Sequence, residues 1–233
     1  MTENDVKFYG WVLKLGKIEY ERTLEWQRNL VKLRKDGMAR DTLILVEHPP
    51  VITVGKDGHK ENYESLDKKP FFIERGGDVT YHGPGQLVAY FICNLTRRGK
   101  DMHVYLDKIQ DGIVDALKEY GVDPRKDKEN TGVWVGDKKI ASVGVAVKNW
   151  ITFHGVAINL NTDLSEFKKI NPCGLDSDVM TSLSKLTGKK IELDKFGDVL
   201  LEKYSTIFKT AFYPVKLEEI AEDIESQSGS NVI

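Results

Sequence analysis

The chain has 233 residues, 40% of them hydrophobic and 30% charged, and carries a formal net charge of −2 at pH 7. These values are typical of a globular protein with a sizeable core and exclude a disordered or fibrous chain. The small net charge also excludes a nucleic-acid binder that works by broad phosphate neutralisation. Because no run of eighteen apolar residues and no signal-like N-terminal segment occurs, we expect a cytoplasmic protein without a membrane partner.

Apolar patterning in the first third of the chain predicts strands around one amphipathic helix. A stripe containing Tyr20, Leu24 and Val31 indicates the helix, and Gly37 is its stop. The His-Pro-Pro sequence at 48–50 predicts a bent edge or corner between two strands. In chain order the predicted elements are a strand over 6–15, a helix over 18–35, strands over 42–46 and 51–54, a solvated loop over 57–69 and a short strand over 71–74.

The rest of the chain mixes strands and helices. The clearest helix follows the N-cap residue Asp101, with Tyr105, Ile109, Ile113 and Leu117 at four-residue spacing. The predicted elements are a strand over 87–95, a helix over 101–121, a hairpin of 133–135 and 140–147 with its turn at 136–139, a strand over 150–160 interrupted at 154–155, and helices over 163–170, 179–186 (capped by Asp178) and 193–212. Together they predict an α+β domain with a mixed, largely antiparallel sheet.

Residues 75–86, R-G-G-D-V-T-Y-H-G-P-G-Q, hold four glycines and a proline. Such a segment favours neither helix nor strand, because glycine loses much entropy on ordering and proline lacks an N–H donor. We interpret it as a backbone cradle for a ligand, with Arg75 and His82 as polar groups beside it; a plain surface turn is the alternative. Neither the Walker nor the G-x-G-x-x-G spacing fits, since Val88 stands where the third glycine belongs.

The two cysteines differ in their surroundings. Cys93 lies inside an apolar run, which predicts a buried and unreactive thiol. Cys173 lies between Pro172 and Gly174, in a predicted tight turn followed by a helix start, whose N–H groups lower a thiol pKa and receive an oxyanion. The alternative is a small residue that fills a turn. Two cysteines give no disulfide framework and no Cys-x-x-Cys metal site.

A nucleophilic Cys173 needs a basic partner. The candidates are His48, His82, His154 and the lysines of the turn at 137–139. Neither His82 nor His154 has an obvious orienting acid in the sequence. Lys139 is the stronger candidate, because it lies where the turn meets an apolar strand, so that its stem can be buried while its amine faces a pocket.

Five motifs in a fixed order carry a family resemblance over residues 43–183. They are L-I-L-V-E-H-P-P-V-I-T-V-G, R-G-G-D-V-T-Y-H-G-P-G-Q-L-V-A-Y, K-I-A-S-V-G-V, F-H-G-V-A-I-N-L and N-P-C-G-L. Together they resemble the lipoyl (octanoyl) transferase family, which moves an octanoyl group from acyl carrier protein to lipoate-dependent enzymes. One departure is Lys56, where the family commonly has arginine.

The resemblance implies the fold of the biotin and lipoate protein ligase catalytic domain, with a large mixed sheet and a smaller one. It implies one catalytic domain over residues 1–218, with a core at about 36–212 and a tail at 219–233. The implied donor is octanoyl-acyl carrier protein, and the implied acceptors are lipoyl domains of 2-oxoacid dehydrogenase complexes and glycine cleavage H protein. No cofactor and no metal are implied.

The resemblance also implies a catalytic pair of Cys173 and Lys139, with an acyl-thioester intermediate on the cysteine. The implied substrate contacts come from three motifs: Arg75, Gly76, Gly77, Asp78, Val79, Thr80, Tyr81 and His82; Ser142, Val143 and Gly144; and Gly155, Val156 and Ala157. Val143, Val145 and Val156 are candidates for the wall of an acyl tunnel, with sheet core as the alternative.

Two other functions stay open. An ATP-dependent lipoate–protein ligase would share the fold and the lysine but would not need Cys173. A non-catalytic binding module of the same fold is the second. Because acyl carrier proteins are acidic, we expect a basic rim at the mouth of the site, for which Lys56, Lys60 and Lys148 are candidates.

Overall fold

The computed structural model describes residues 6–66, 69–127 and 130–220, apart from the side chain of Cys173. Its strands are β1 (Phe8–Lys17), β2 (Asp41–Glu47), β3 (Val51–Val54), β4 (Phe71–Phe72), β5 (Val79–His82), β6 (Gln86–Ile92), β7 (Pro124–Lys126), β8 (Gly132–Val135), β9 (Lys138–Lys148), β10 (Ile151–Asn159) and β11 (Thr210–Pro214). Its α-helices are α1 (Tyr20–Lys35), α2 (Met102–Lys118), α3 (Leu183–Thr187) and α4 (Leu193–Phe208).

The strands form a large and a small sheet. The large sheet has the order β11-β1-β2-β6-β10-β9-β8-β7, and the small one β4-β3-β5. In the large sheet only β11 with β1 and β1 with β2 are parallel, and the other pairs are antiparallel. The predicted α+β fold with a mixed, largely antiparallel main sheet and a smaller sheet is confirmed.

Both faces of the large sheet are buried, which explains the continuous apolar runs of its central strands. On β6, Leu87, Ala89 and Phe91 pack with α2 and α4, whereas Val88 and Tyr90 pack on the opposite face with α1. The predicted stripe of α1 is buried, and so is that of α2, whose N-terminus Asp101 caps through its side chain. No helix within the described ranges combines the length and apolarity needed to cross a membrane.

Up to strand β10, three predicted elements differ from the structure and one strand was missed. Residues 48–50 form the predicted corner, but β2 is an interior strand between β1 and β6, and the chain passes from there into the small sheet. The hairpin turn is only Gly136-Asp137, so Lys138 and Lys139 belong to β9. Strand β10 continues through His154, which keeps its ladder partner Val145 despite a φ of 59°. The strand Pro124–Lys126 was not predicted.

The loop predicted over 57–69 contains a 3₁₀ turn at Lys60–Asn62, and Asn62 is buried; residues 67–68 lie outside the described part. The segment 163–170 is a 3₁₀ helix, Leu164–Lys169. Ser182, not Asp178, caps the following α-helix, which begins at Leu183.

The last helix is shorter than predicted. It ends at Phe208, because Lys209 adopts a left-handed φ of 50° and starts a strand that pairs with β1. The predicted tail at 219–233 lies mostly outside the described residues, so its boundary stays a prediction, although Ile220 is buried.

Candidate functional site

A cavity lies between the large sheet, the small sheet and the start of α1. Its lining residues are Tyr20, Arg75, Gly77, Thr80, His82, Val88, Tyr90, Lys139, Ser142, Val143, Gly144, His154, Gly155, Val156 and Ala157. Members of all three motifs that were predicted to contact substrate therefore meet at one cavity. They come from β5, β9, β10 and the segment before β5, which are far apart in the sequence but adjacent in the fold.

Small residues at paired positions keep the sheet side of this cavity open. Gly144 of β9 lies opposite Gly155 of β10, and Ser142 lies opposite Ala157. A Cβ on Gly155 would come within 2.0 Å of the Ala89 carbonyl oxygen, and one on Gly144 within 2.8 Å of Arg75 Cδ. Gly144 therefore allows the stem of Arg75 to lie directly on the sheet, and Gly155 allows the close approach of the β6 backbone at Ala89.

Arg75 is held across the cavity by the small sheet. Its Nη2 donates to the carbonyl and hydroxyl oxygens of Thr53 at 2.9 and 3.0 Å, and its Nη1 donates to the carbonyl of Gly76 at 3.1 Å. The side chain is 7% exposed. A buried guanidinium fixed in this way contributes a positive charge of constant position to the cavity.

His82 is a neutral hydrogen-bonding group of known tautomer. The Nε2 atom of Gln86 donates to the Tyr81 carbonyl and to Asn159 Oδ1, so its Oε1 accepts from His82 Nδ1 at 2.8 Å. The lone pair of the imidazole is therefore on Nε2. Burial, aided by His48 and Arg75, lowers the pKa of His82 to about 3. His82 thus accepts hydrogen bonds at neutral pH but is a weak proton acceptor.

The other two histidines considered as bases are also buried. His48 Nδ1 donates to the Ile18 carbonyl at 2.7 Å, and its Nε2 accepts from the Tyr90 hydroxyl at 2.8 Å; burial lowers its pKa to about 4. His154 has an acid nearby that the sequence did not reveal, since Glu74 Oε2 lies 3.6 Å from its Nε2. Burial nevertheless lowers the pKa of His154.

Lys139 reaches the cavity from a β-bulge. The register between β8 and β9 shifts between Val133 and Trp134, so that Lys139 pairs with Trp134 and Ala141 with Val133. Bulges redirect side chains and occur next to functional sites. Lys139 is 3% exposed, and its Nζ lies 5.8 Å from the centroid of the Trp134 ring. The predicted burial of Lys139 is observed, and the residue lines the cavity.

Backbone contacts bring the segment that follows Cys173 to Lys139. Thr181 N–H donates to the Lys139 carbonyl at 2.9 Å, and an isolated parallel β-bridge joins Met180 to Lys139. Lys138 Nζ donates to the Asp178 carbonyl at 3.2 Å. The segment that carries Cys173 is therefore tied to the first residues of β9.

Cys173 itself lies in a 3₁₀ turn, Pro172–Gly174, with Gly174 at a φ of 70°. The turn is anchored by Asn171 N–H, which donates to the Asn62 carbonyl at 2.9 Å. The predicted tight turn is correct, but the predicted helix start is wrong, because the next α-helix begins only at Leu183. The sulfur lies outside the described part, so the pairing of Cys173 with Lys139 stays a prediction.

Three backbone N–H groups near the Cys173 turn and the cavity already have acceptors. Gly174 N–H donates to the Asn171 carbonyl, Gly76 N–H to the Val145 carbonyl, and Gly77 N–H to Asp57 Oδ2 at 2.7 Å. In this conformation, therefore, these N–H groups stabilise the loops. The positively charged side chains of Arg75 and Lys139 are then the groups of the cavity that can stabilise a developing negative charge.

A second groove adjoins the cavity. Lys139, Val143, Gly144 and Gly77 line both. Gly76 and Asp78 line only the second groove, with Val145, which was predicted for the tunnel. Val79 and Tyr81 line neither, because they alternate with Thr80 and His82 on β5 and face a separate apolar cluster with Phe167, Ile170 and Met180.

Comparison with known proteins gives the family. The model of the lipoyl protein ligase A/B catalytic domain matches residues 19–205. The chain belongs to this family. Relatives named octanoyltransferase are 42% identical in Thermoanaerobacter sp. (strain X514), covering 91% of this chain and 96% of the relative, and 44% identical in Solibacter usitatus, covering 86% and 94%. The resemblance inferred from the five motifs is confirmed.

Solved structures show the same fold for the family. A lipoate-protein ligase A bound with ATP superposes with a TM-score of 0.77 at 16% identity, covering 94% of this chain and 92% of that one. A biotin protein ligase from Aquifex aeolicus gives a TM-score of 0.52 at 15% identity, covering 87% and 70%. These likenesses confirm the predicted biotin and lipoate ligase fold.

Sequence reasoning missed several residues that line the cavity. Tyr20 was assigned to the helix stripe, and Val88 and Tyr90 to a buried strand, yet all three line the cavity. Val88 and Tyr90 belong to the second of the five motifs, which was the available signal for them, whereas Tyr20 shows only the apolar pattern of a core residue. Lys148 lies nine residues along β9 from Lys139, roughly 30 Å away, and lines a different groove. It is therefore not part of a rim at this mouth.

Within the described ranges, no three histidine, cysteine, aspartate or glutamate side chains are grouped so that they could hold a metal ion.

Proposed function

We propose that this protein transfers an octanoyl group from octanoyl-acyl carrier protein to a lysine of a lipoyl domain. Lipoyl domains of 2-oxoacid dehydrogenase complexes and the glycine cleavage H protein are the proposed acceptors, and the cytoplasm is the proposed location. The observation that carries the proposal is the largely apolar cavity with Lys139 at its junction with a second groove. The 42–44% identity to proteins named octanoyltransferase supports the acyl group.

The cavity is the proposed acyl site. Val88, Tyr90 and Ala157, on one face of the sheet, give it an apolar lining, and each methylene removed from water contributes about 0.8 kcal/mol. The adjoining groove is the proposed entrance for the carrier's arm and for the acceptor lysine, because both must reach the same carbonyl carbon from outside. Lys139 borders both spaces.

In the first half-reaction the Cys173 thiolate attacks the thioester carbon of the donor. The new carbon–sulfur bond to Cys173 replaces the bond to the carrier, and the departing thiolate takes up the proton that Cys173 lost. Lys139 holds that proton meanwhile. The positive charges of Lys139 and Arg75 stabilise the negative charge that develops at the carbonyl oxygen.

In the second half-reaction the acceptor lysine attacks the thioester on Cys173. Its free pKa is about 10.4, so it arrives mostly as an ammonium and must lose a proton before it becomes a nucleophile. Lys139, neutral at this stage, is the proposed base. A carbon–nitrogen bond forms, the bond to Cys173 breaks, and the sulfur regains a proton. Across the cycle one proton is released to solvent.

A transfer assay separates this function from its alternatives. The purified chain is incubated with a lipoyl domain and either octanoyl-acyl carrier protein alone or octanoate with ATP, and the acceptor is weighed by mass spectrometry. We expect octanoylation from the carrier without ATP, because a thioester is already activated. Modification only with octanoate and ATP would make the protein a ligase, and no modification in either mixture would favour the non-catalytic module.

A further inference from the structure

The cavity has an open end and a closed end. The four residues that it shares with the second groove, Lys139, Val143, Gly144 and Gly77, mark the open end. Val88 and Tyr90 line the cavity from β6, two strands away from the β9 residues of the open end, and Tyr20 stacks on His82 beside them. These four residues do not line the groove and are at most 7% exposed, so they form the closed end. If an acyl chain enters with its thioester at Lys139, its methyl end points toward this second group.

The closed end is a rigid wall. The Tyr20 ring lies parallel to the His82 ring, with centroids 5.9 Å apart, and meets the His48 ring edge-on at 5.3 Å. The Tyr90 hydroxyl donates to His48, which is itself fixed by the Ile18 carbonyl. Aromatic rings packed and hydrogen-bonded in this way do not move aside for one more methylene.

The β-sheet register places Val88 near the expected position of the chain end. Val88 lies opposite Ala157, which lies opposite Ser142, so these three form one row across the sheet. Ser142 is three residues from Lys139, or about 10 Å along the strand, and Ala157 and Val88 lie one and two strands further across the sheet. With strands about 4.8 Å apart, Ala157 and Val88 are therefore about 11 and 14 Å from Lys139 along the diagonal. Seven carbon–carbon bonds of about 1.5 Å in a zigzag span roughly 9 Å. An octanoyl chain that starts near Lys139 and crosses the strands diagonally therefore ends about one side-chain contact short of Ala157 and Val88.

We propose that Val88 and Ala157 are the stop that fixes the length of the acyl chain. This inference rests on the proposed octanoyl transfer and adds the residues that select the chain. Val88 is 1% exposed and Ala157 5%, so their methyl groups are held in place. A longer chain collides with them or stays partly in the groove, and a shorter chain leaves part of the cavity unfilled.

Val88→Ala tests the stop, with Val46→Ala as its matched control. Val46 pairs directly with Val88 across β2 and β6, belongs to the same apolar cluster and is also 1% exposed, but it does not line the cavity. Both variants lose the same two methyl groups from the same face. We compare kcat/KM for hexanoyl, octanoyl and decanoyl donors on the carrier protein, with thermal unfolding to confirm that both variants fold.

We expect the decanoyl-to-octanoyl ratio to rise at least about tenfold in Val88→Ala, since a methylene in an apolar pocket changes selectivity by about 10–200-fold. The ratio in Val46→Ala is expected to stay within about twofold of the wild-type value. In the opposite direction, Ala157→Val is expected to favour the hexanoyl donor. Its control is Ala146→Val, which lies on the same face of the sheet but outside the cavity lining and is expected to keep the wild-type preference.

The outcomes separate this inference from the proposed function. If the wild-type protein transfers octanoyl but neither Val88→Ala nor Ala157→Val changes chain preference beyond its control, the stop is wrong and the transfer stands. Equal changes in Val88→Ala and Val46→Ala would also overturn the stop, because they would reflect general loosening. If the wild-type protein transfers no acyl group of any length, both the function and the stop fail.

Discussion

Replacement of Lys139 by methionine is expected to slow octanoyl transfer by about 10²–10⁴-fold, the range over which general acid–base groups contribute. Methionine keeps an unbranched apolar stem beside Trp134 and Gly132, so the fold is expected to survive while the amine is lost. The rate is measured with octanoyl-acyl carrier protein and a lipoyl domain, and folding is checked by thermal unfolding.

Lys148→Met is the matched control, because Lys148 lies on the same strand as Lys139 but is exposed and lines a different groove. We expect its rate to stay within about twofold of wild type, since an exposed lysine outside the cavity has no part in the proton transfer. Equal rates in the two methionine variants would contradict a role for Lys139 in the chemistry.

Lys139→Arg separates a base from a fixed charge. Arginine keeps the positive charge but cannot give up its proton at neutral pH, because its pKa exceeds about 12. We expect this variant to be as slow as Lys139→Met. Recovery of the wild-type rate would show that the charge alone is sufficient and that another group removes the acceptor's proton.

Asp41→Asn is expected to lower the free energy of unfolding at pH 7 by about 3–5 kcal/mol, the usual effect of removing one partner from a buried ion pair. Asp41 is 3% exposed and accepts from Arg34 Nε and Arg98 Nη2, each at 2.7 Å. Arg98 also donates to the Phe208 carbonyl at 2.8 Å. The carboxylate thus joins the end of α1 to the end of α4, and its loss leaves two cations facing each other.

The same interaction predicts how stability depends on pH. Burial alone would raise the pKa of Asp41, but Arg98 and Arg34 outweigh it and hold that pKa below the usual 3.8. The stabilisation is therefore complete above about pH 5 and is lost as the pH falls through the depressed pKa of the folded state. Urea unfolding of wild type and Asp41→Asn is measured from pH 7 to pH 3. The difference between their free energies of unfolding should decrease only below about pH 4.

The exposed pair of Lys14 and Asp198 provides the control. Asp198→Asn should change the free energy of unfolding by less than about 1 kcal/mol, because exposed ion pairs contribute little. The proposed role of Asp41 would be contradicted if Asp41→Asn lost no more free energy of unfolding than Asp198→Asn. It would also be contradicted if the difference in free energy of unfolding between wild type and Asp41→Asn did not change with pH.

Local patterns in the sequence were sufficient for the central elements. Strand β6 and helix α2 were predicted close to their observed bounds, because continuous apolar runs and four-residue spacing depend only on neighbouring residues. The strand Thr210–Pro214 was missed because its partner, Phe8–Val12, lies about two hundred residues away. Phe212 instead extended the apolar pattern of the preceding helix.

Only the site residues that belong to sequence motifs could be predicted. Arg75, Lys139 and the Gly144–Gly155 region lie in motifs, and the fold brings them together at one cavity. The bulge that turns Lys139 into this cavity depends on the register with β8, which no local pattern specifies. The closed end, formed by Tyr20, Val88 and Tyr90, depends on how α1 packs on the sheet.

The central claim is that the sulfur of Cys173 carries the acyl group during transfer. Its most direct test is to mix the protein with octanoyl-acyl carrier protein in the absence of an acceptor, quench with acid and map the modified peptides by mass spectrometry. We predict one octanoyl group on the peptide containing Cys173 and none on that containing the buried Cys93, with loss of the adduct when a lipoyl domain is added. Octanoyl transfer at the wild-type rate by Cys173→Ser, or an unmodified Cys173 in protein that is turning over, would contradict the claim.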